Sequence, residues 1–195
     1  MTITVQDLAV KLAQACGVPL PEPAPAQPVV AAPAVPVAPA VPGGTATAPI
    51  STPAPAPAPA PAAPQAVNIV DYSLRGVHLD VTVPAGQVVT AAKVMLENGF
   101  AIDAVTGVDW LAASEMEVVY DYFHPETNFR VAVRSRLPRA NPEIATISEV
   151  FAGANWHERE THDFFGINFL GHPDLSPLLL PDDATYHPLR KDFTA

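Results

Sequence analysis

Met116 to Arg136 reads M-E-V-V-Y-D-Y-F-H-P-E-T-N-F-R-V-A-V-R-S-R. Two runs rich in β-branched and aromatic residues, Met116–Phe123 and Phe129–Arg136, flank His124-Pro125-Glu126-Thr127-Asn128, a short polar turn. That pattern predicts a β-hairpin. Val131 and Val133 alternate with Arg130, Ala132 and Arg134, so one face packs inward and the other is open or meets a partner. Upstream, Arg75 to Val83 places Val77, Leu79, Val81 and Val83 on one side of a half-buried strand that Pro84 closes. Gln87 to Asn98 suits a helix with Val88, Ala91, Ala92, Met95 and Leu96 inward and Gly99 as its cap. Phe100 to Trp110 reads as a second strand and Leu137 to Pro142 as a loop. The expected fold is α+β: a mostly antiparallel sheet, two or three helices, and an extended irregular C-terminal arm.

A helix is expected to follow the loop and to end at Gly166. Val150, Phe151, Ala154, Trp156, Phe164 and Phe165 supply its apolar side. Arg159 and Asp163, four apart, are placed to pair, and Glu158 and His162 share the neighbouring face. His157-Glu158 begins like a zinc-protease helix, but that motif needs a second His where Thr161 stands. His162 lies about 500° around the helix from His157, too far to share a metal. The dense charge reads as an ion-pair network.

Residues 167–195 have little room for regular structure, because Pro173, Pro177, Pro181 and Pro188 remove backbone donors and favour extended geometry before them. The same segment carries Leu175, Leu178, Leu179, Leu180, Leu189 and Phe193. An irregular chain this apolar is expected to lie as an arm on its own domain or on a partner.

Glu158-Arg159-Glu160, Asp163, Gly166, then Gly171-His172-Pro173-Asp174-Leu175, and finally Pro188-Leu189-Arg190-Lys191-Asp192-Phe193 make up two long motifs. Together they resemble the 30 kDa subunit family of respiratory NADH:quinone oxidoreductase, complex I, a family shared with energy-converting, membrane-bound nickel–iron hydrogenases. The resemblance covers about residues 70–193. It implies a non-catalytic structural and assembly subunit of the peripheral arm, with no catalytic, cofactor or metal residue of its own. Iron–sulfur clusters would sit in partner subunits. The implied partners are those iron–sulfur subunits and a large redox subunit, either 49 kDa-like or the large subunit of a nickel–iron hydrogenase. In this reading Glu158, Arg159, Glu160, Asp163, Gly166, His172, Pro173, Pro188, Leu189, Arg190, Lys191 and Asp192 are interface residues, and Arg190 meets a carboxylate of the large subunit. Ala184-Thr185-Tyr186 replaces the Trp-x-Gly of the respiratory pattern, and Pro177 stands where an Arg is usual. Those departures leave open the equivalent subunit of a hydrogenase or formate hydrogenlyase-type complex.

The rest of the chain narrows the alternatives. Of 195 residues, 20 are acidic and 10 basic, a formal charge of -10 that disfavours nucleic acid as a partner. One cysteine, Cys16, cannot build a disulfide framework or ligate a cluster alone. No run of eighteen apolar residues occurs, and the N-terminus lacks the features of a signal or transit peptide. These features suit an intracellular prokaryotic protein, and the resemblance implies the cytoplasmic side of the cell membrane, reached only through partners. Residues 1–18 predict a short amphipathic helix, with Thr4 and Asp7 at capping-box spacing and Val5, Leu8, Leu12 and Ala15 on one face. It is expected either to fray or to dock on a partner. Residues 19–66 are almost all Pro, Ala and Val and read as a disordered linker of polyproline type before a domain spanning 67–195. An enzyme using the acids and histidines around His157 finds no supporting spacing. An adaptor with two binding ends is compatible with the subunit reading.

Overall fold

The computed structural model describes residues 4–20 and 67–194. The linker expected over 19–66 falls outside them from residue 21 onward. Four helices occur among the described residues: α1 (Val5–Cys16), α2 (Tyr72–Arg75), α3 (Val88–Glu97) and α4 (Ala154–Phe165). The strands are β1 (Val67–Ile69), β2 (Leu79–Thr82), β3 (Ala101–Trp110), β4 (Glu115–His124), β5 (Phe129–Pro138), β6 (Glu143–Ala145) and β7 (Asn168–Leu170). The fold is α+β with a mostly antiparallel sheet, as the sequence predicts.

The hairpin β4–β5 is the centre of a five-stranded sheet of order β1-β2-β5-β4-β3. Its register pairs Tyr120 with Val133 and Tyr122 with Val131. β2 joins β5 as the one parallel pair of this sheet, Leu79 opposite Val131. Val118, Tyr120, Tyr122, Val131, Val133 and Leu137 form one core with residues from α1, α3 and α4. The alternate residues of the strands carry an ion-pair lattice. Arg134 Nε lies 2.8 Å from Asp80, and Arg136 reaches both Glu117 and Glu115 at 3.1 Å. The Arg136 guanidinium also stacks over Trp110, whose indole N–H donates to Glu117 at 2.9 Å. The face expected to be open or to meet a partner thus carries a lattice of partly exposed ion pairs.

Several local expectations are corrected. The strand expected from Arg75 is shorter, because Asp71 caps a turn of helix at the Ser73 N–H and Gly76, at φ 70°, ends it. Leu96 and Ala15 point outward, while Ala9, Ala13 and Cys16 join Leu8 and Leu12 inside. α1, expected to fray or to dock on a partner, packs on α3 of the same chain, and Lys11 Nζ donates to Asn98 at 2.7 Å. Its Thr4–Asp7 capping box is present. β6 and β7 form a separate parallel pair, Ile144 opposite Phe169, so residues 168–170 are regular where an arm was expected to begin.

Candidate functional site

α4 starts at Ala154, with Phe151 buried before it. Its inward residues are Ala154, Glu158, Thr161 and Asp163, so the helix turns a polar side to the core. Trp156, expected inside, is 67% exposed. This inversion works because each buried polar atom finds a partner. Thr161 donates its hydroxyl proton to the Val105 carbonyl at 3.1 Å. Glu158 accepts from the Ile147 N–H at 2.8 Å and is hydrogen-bonded to the Thr146 hydroxyl. Burial pushes the Glu158 carboxyl up to about 7, against the opposing effect of those two bonds.

Arg159 and Asp163 do not pair with each other. Arg159 donates to the carbonyls of Ser176 and Pro177 at 3.0 and 3.1 Å and to the Ser176 hydroxyl at 3.1 Å. Asp163 Oδ2 accepts the backbone N–H groups of Leu178, Leu179 and Leu180 at 2.9, 2.7 and 3.2 Å. Burial raises its carboxyl, but these three bonds outweigh burial and hold it below the usual carboxylate range. The expected i, i+4 pair is therefore replaced by two clamps on one irregular segment. Glu160 is exposed on the outer side of the helix.

The second motif closes the end of α4. A helix leaves its last carbonyls without internal partners. Here His187 Nδ1 donates to the Asp163 carbonyl at 2.8 Å, the Leu189 N–H to Phe164 at 3.2 Å, and Arg190 Nε to Phe165 at 2.7 Å. Gly166 sits at φ 70° and returns its own N–H to His162. A Cβ there would stand 2.5 Å from both the Arg190 guanidinium and the His187 ring, so this position needs glycine for two reasons. Arg190, expected to meet a carboxylate of a partner, is bonded through Nε to the end of its own helix.

Lys191 and Asp192 fasten the segment to the sheet. Asp109, whose side chain is fully buried, forms a two-pronged pair with Arg139 at 2.8 and 3.0 Å and also accepts the Lys191 N–H at 2.8 Å. Arg139 bridges to Asp192 at 2.6 Å. The Arg139 bonds hold Asp109 below the usual carboxylate range despite its burial. The His172 side chain is buried beside Glu158, whereas Pro173 is exposed and Pro188 half-buried. Sequence reasoning missed Asp109, Arg139, Thr146 and His187. A usable signal existed for Asp109, an acid in register with the inward Val105 and Gly107 of its strand.

Polar groups thus tie residues 172–192 inward, while apolar side chains remain outside: Leu179 (59% exposed), Leu189 (51%), Tyr186 (45%) and Phe193 (38%). Tyr186 and Phe193 stack with ring centroids 5.7 Å apart. No group of three His, Cys, Asp or Glu side chains placed to hold a metal occurs among the described residues. No helix among them is long and apolar enough to cross a membrane.

A family model for "Respiratory-chain NADH dehydrogenase, 30 Kd subunit" matches residues 81–195. The C subunit of F(420)H(2) dehydrogenase from Methanosarcina mazei is 46% identical over 46% of this chain and 58% of its own length. The C/D subunit of NADH-quinone oxidoreductase from Phocaeicola vulgatus is 40% identical over 46% of this chain and 17% of its own. The protein therefore spans little more than half of the first relative. Among solved structures, a polypeptide of the membrane-bound sulfane sulfur reductase, described as an archaeal respiratory membrane complex, superposes with a TM-score of 0.55 at 30% identity, over 60% of this chain and 71% of that one. With a match that takes in more than half of its length and both motifs that pin the last segment to α4, the chain belongs to the family of the 30 kDa subunit of respiratory-chain NADH dehydrogenase.

Proposed function

We propose that the protein is a non-catalytic structural subunit in the peripheral arm of a membrane-bound NADH:quinone oxidoreductase-type complex. It packs there against the large, 49 kDa-like redox subunit. The observation that carries this reading is the segment after β7, whose backbone is bonded inward while Leu179, Tyr186, Leu189 and Phe193 face outward. Fixing an irregular segment in advance lowers the entropy cost of docking. Exposed aromatic side chains such as Trp156 and Tyr186 are the kind that dominate interface energetics. A relative whose name joins two subunits, C/D, favours a place for this fold beside a second subunit of that enzyme. In this reading the iron–sulfur clusters belong to partner subunits, and the protein meets the cytoplasmic side of the membrane through them.

A second reading keeps the fold and changes the complex. The likeness to part of a sulfane sulfur reductase supports a parent other than NADH:quinone oxidoreductase, and the hydrogenase or formate hydrogenlyase type is the alternative that the motif departures at Pro177 and Ala184–Tyr186 leave open. The relatives are named for different electron donors, so a subunit of this kind does not by itself select the donor. Co-expression of the tagged full-length chain with a 49 kDa-like large subunit from the same genome tests docking. Wild type should retain that subunit, and Leu179→Asp with Leu189→Asp should lose it. Equal recovery would overturn the assignment of this surface.

A further inference from the structure

The Glu158 side chain has no exposure to solvent and no cation bonded to it. The titratable groups facing it are His172, from the segment after β7, and Tyr120 and Tyr122, from β4. His172 Nε2 lies 3.8 Å from Glu158 Oε2. The Asp174 N–H donates to His172 Nδ1 at 3.1 Å, which puts the ring proton on Nε2, directed at the Asn155 carbonyl 3.2 Å away. In this arrangement both ring nitrogens are bonded to other groups, and the ring makes no hydrogen bond to Glu158. The Tyr120 hydroxyl is buried with no hydrogen-bond partner, and ionisation of either phenol is opposed first by burial and then by the Glu158 charge.

The hydroxyls beside Glu158 can accommodate either protonation state. Thr146 Oγ1 contacts Glu158 Oε2, lies 2.8 Å from the Ser148 hydroxyl, and accepts the Ser148 N–H at 3.1 Å. Thr146 has one hydroxyl proton and cannot donate both ways. With Glu158 protonated, the bonds run from Glu158 to Thr146 to Ser148 and every member is satisfied without a net charge. With Glu158 ionised, they run in reverse and leave a buried carboxylate with two donors and no cation, a costly state.

We propose that Glu158 is protonated in the closed arrangement seen here and acts as a pH-sensitive latch on the root of the C-terminal segment. When it ionises, the cost of the buried charge is relieved by letting water in, and the groups that must part are those covering it: the 146–148 loop and His172 with its bond to Asp174. The folded-state value of about 7 lies above the ordinary 4.5. The latch is therefore fully closed below about 4.5 and is lost as pH rises through about 7. This inference rests on the cluster alone and holds whichever complex the protein serves.

Carboxyl-carbon NMR of the 13C-labelled full-length chain tests it. One glutamate should titrate near pH 7 and be missing in Glu158→Gln. Across the same range, amide protection at Ile147 and Asp174, corrected for intrinsic exchange, should fall at least tenfold in wild type and stay constant in the variant. Thr146→Val removes a bond that favours the carboxylate, so it should move the midpoint higher, and it serves the assignment if Glu158→Gln does not fold. A midpoint near 4.5, a midpoint unmoved by Thr146→Val, or constant protection through the titration would each overturn the latch.

Discussion

Replacing Asp163 with Asn leaves the side chain almost isosteric and removes its charge. Oδ2 of Asp163 takes three backbone N–H groups from Leu178, Leu179 and Leu180, and the residue is 4% exposed. A bond to a charged acceptor contributes roughly 1.5–3 kcal/mol, against roughly 0.5–1.5 for a neutral one. Three such differences would sum to about 3–4 kcal/mol, but the bonds share one oxygen and Asn escapes the burial cost of the charge. We therefore expect a loss of about 2 kcal/mol in urea unfolding. The loss should be local, with amide protection at 178–180 falling by more than tenfold while β4 and β5 keep theirs relative to global stability. The pH dependence has a definite sign. The folded-state carboxyl lies below its ordinary 3.8, so its contribution is present above that value and disappears as pH falls through the folded-state value. Asp163→Asn should lack that acid limb. A variant within about 0.5 kcal/mol of wild type, with unchanged protection at 178–180, would refute the clamp.

Arg139→Ala strands the buried Asp109 carboxylate with one N–H donor and should cost about 3 kcal/mol, read by chemical denaturation. Gly107→Ala puts a Cβ 2.5 Å from the Phe165 ring and should cost about 1–3 kcal/mol, with Phe165→Ala in the same protein giving a markedly non-additive double mutant. Gly166→Ala should release the Arg190 and His187 bonds to α4, seen as lost protection at Leu189. Trp156→Ala should change stability by less than about 0.5 kcal/mol, because the side chain is exposed, and should still weaken docking to the large subunit at least tenfold by surface plasmon resonance.

The hairpin was legible because both runs obey a two-residue period and the turn between them is polar; the observed strands extend the expected ones by a residue or two. α3 was legible for the corresponding helical reason. α4 is read correctly at Phe151, Ala154 and Phe165, which meet the core, and wrongly at Trp156 and at the buried Glu158. Its apolar residues invite Trp156 into the core, but the partners that let Glu158 in are Thr146 and Ile147, 12 and 11 residues earlier and off the helix. Periodicity within one element carries no information about such partners. The same holds for Asp163 and Arg159: helical spacing says they can meet, and competing amides and carbonyls fifteen to eighteen residues later take both. β6 and β7, three residues each, are too short to show a period. The two C-terminal motifs were recognisable as a family pattern, yet their work in closing α4 and holding Asp109 became visible only when the chain was folded back on itself.

A fixed subunit of a membrane-bound redox complex should leave the membrane together with its partners. The direct measurement is affinity purification of the tagged full-length chain from detergent-solubilised membranes of its own host, followed by size-exclusion chromatography and subunit identification. The wild-type protein should elute at high mass with a large redox subunit and iron–sulfur subunits in equal amounts, and the Leu179→Asp, Leu189→Asp double variant should not. Elution of the wild-type protein at its own mass, with no redox subunit in stoichiometric amount, would contradict the subunit assignment.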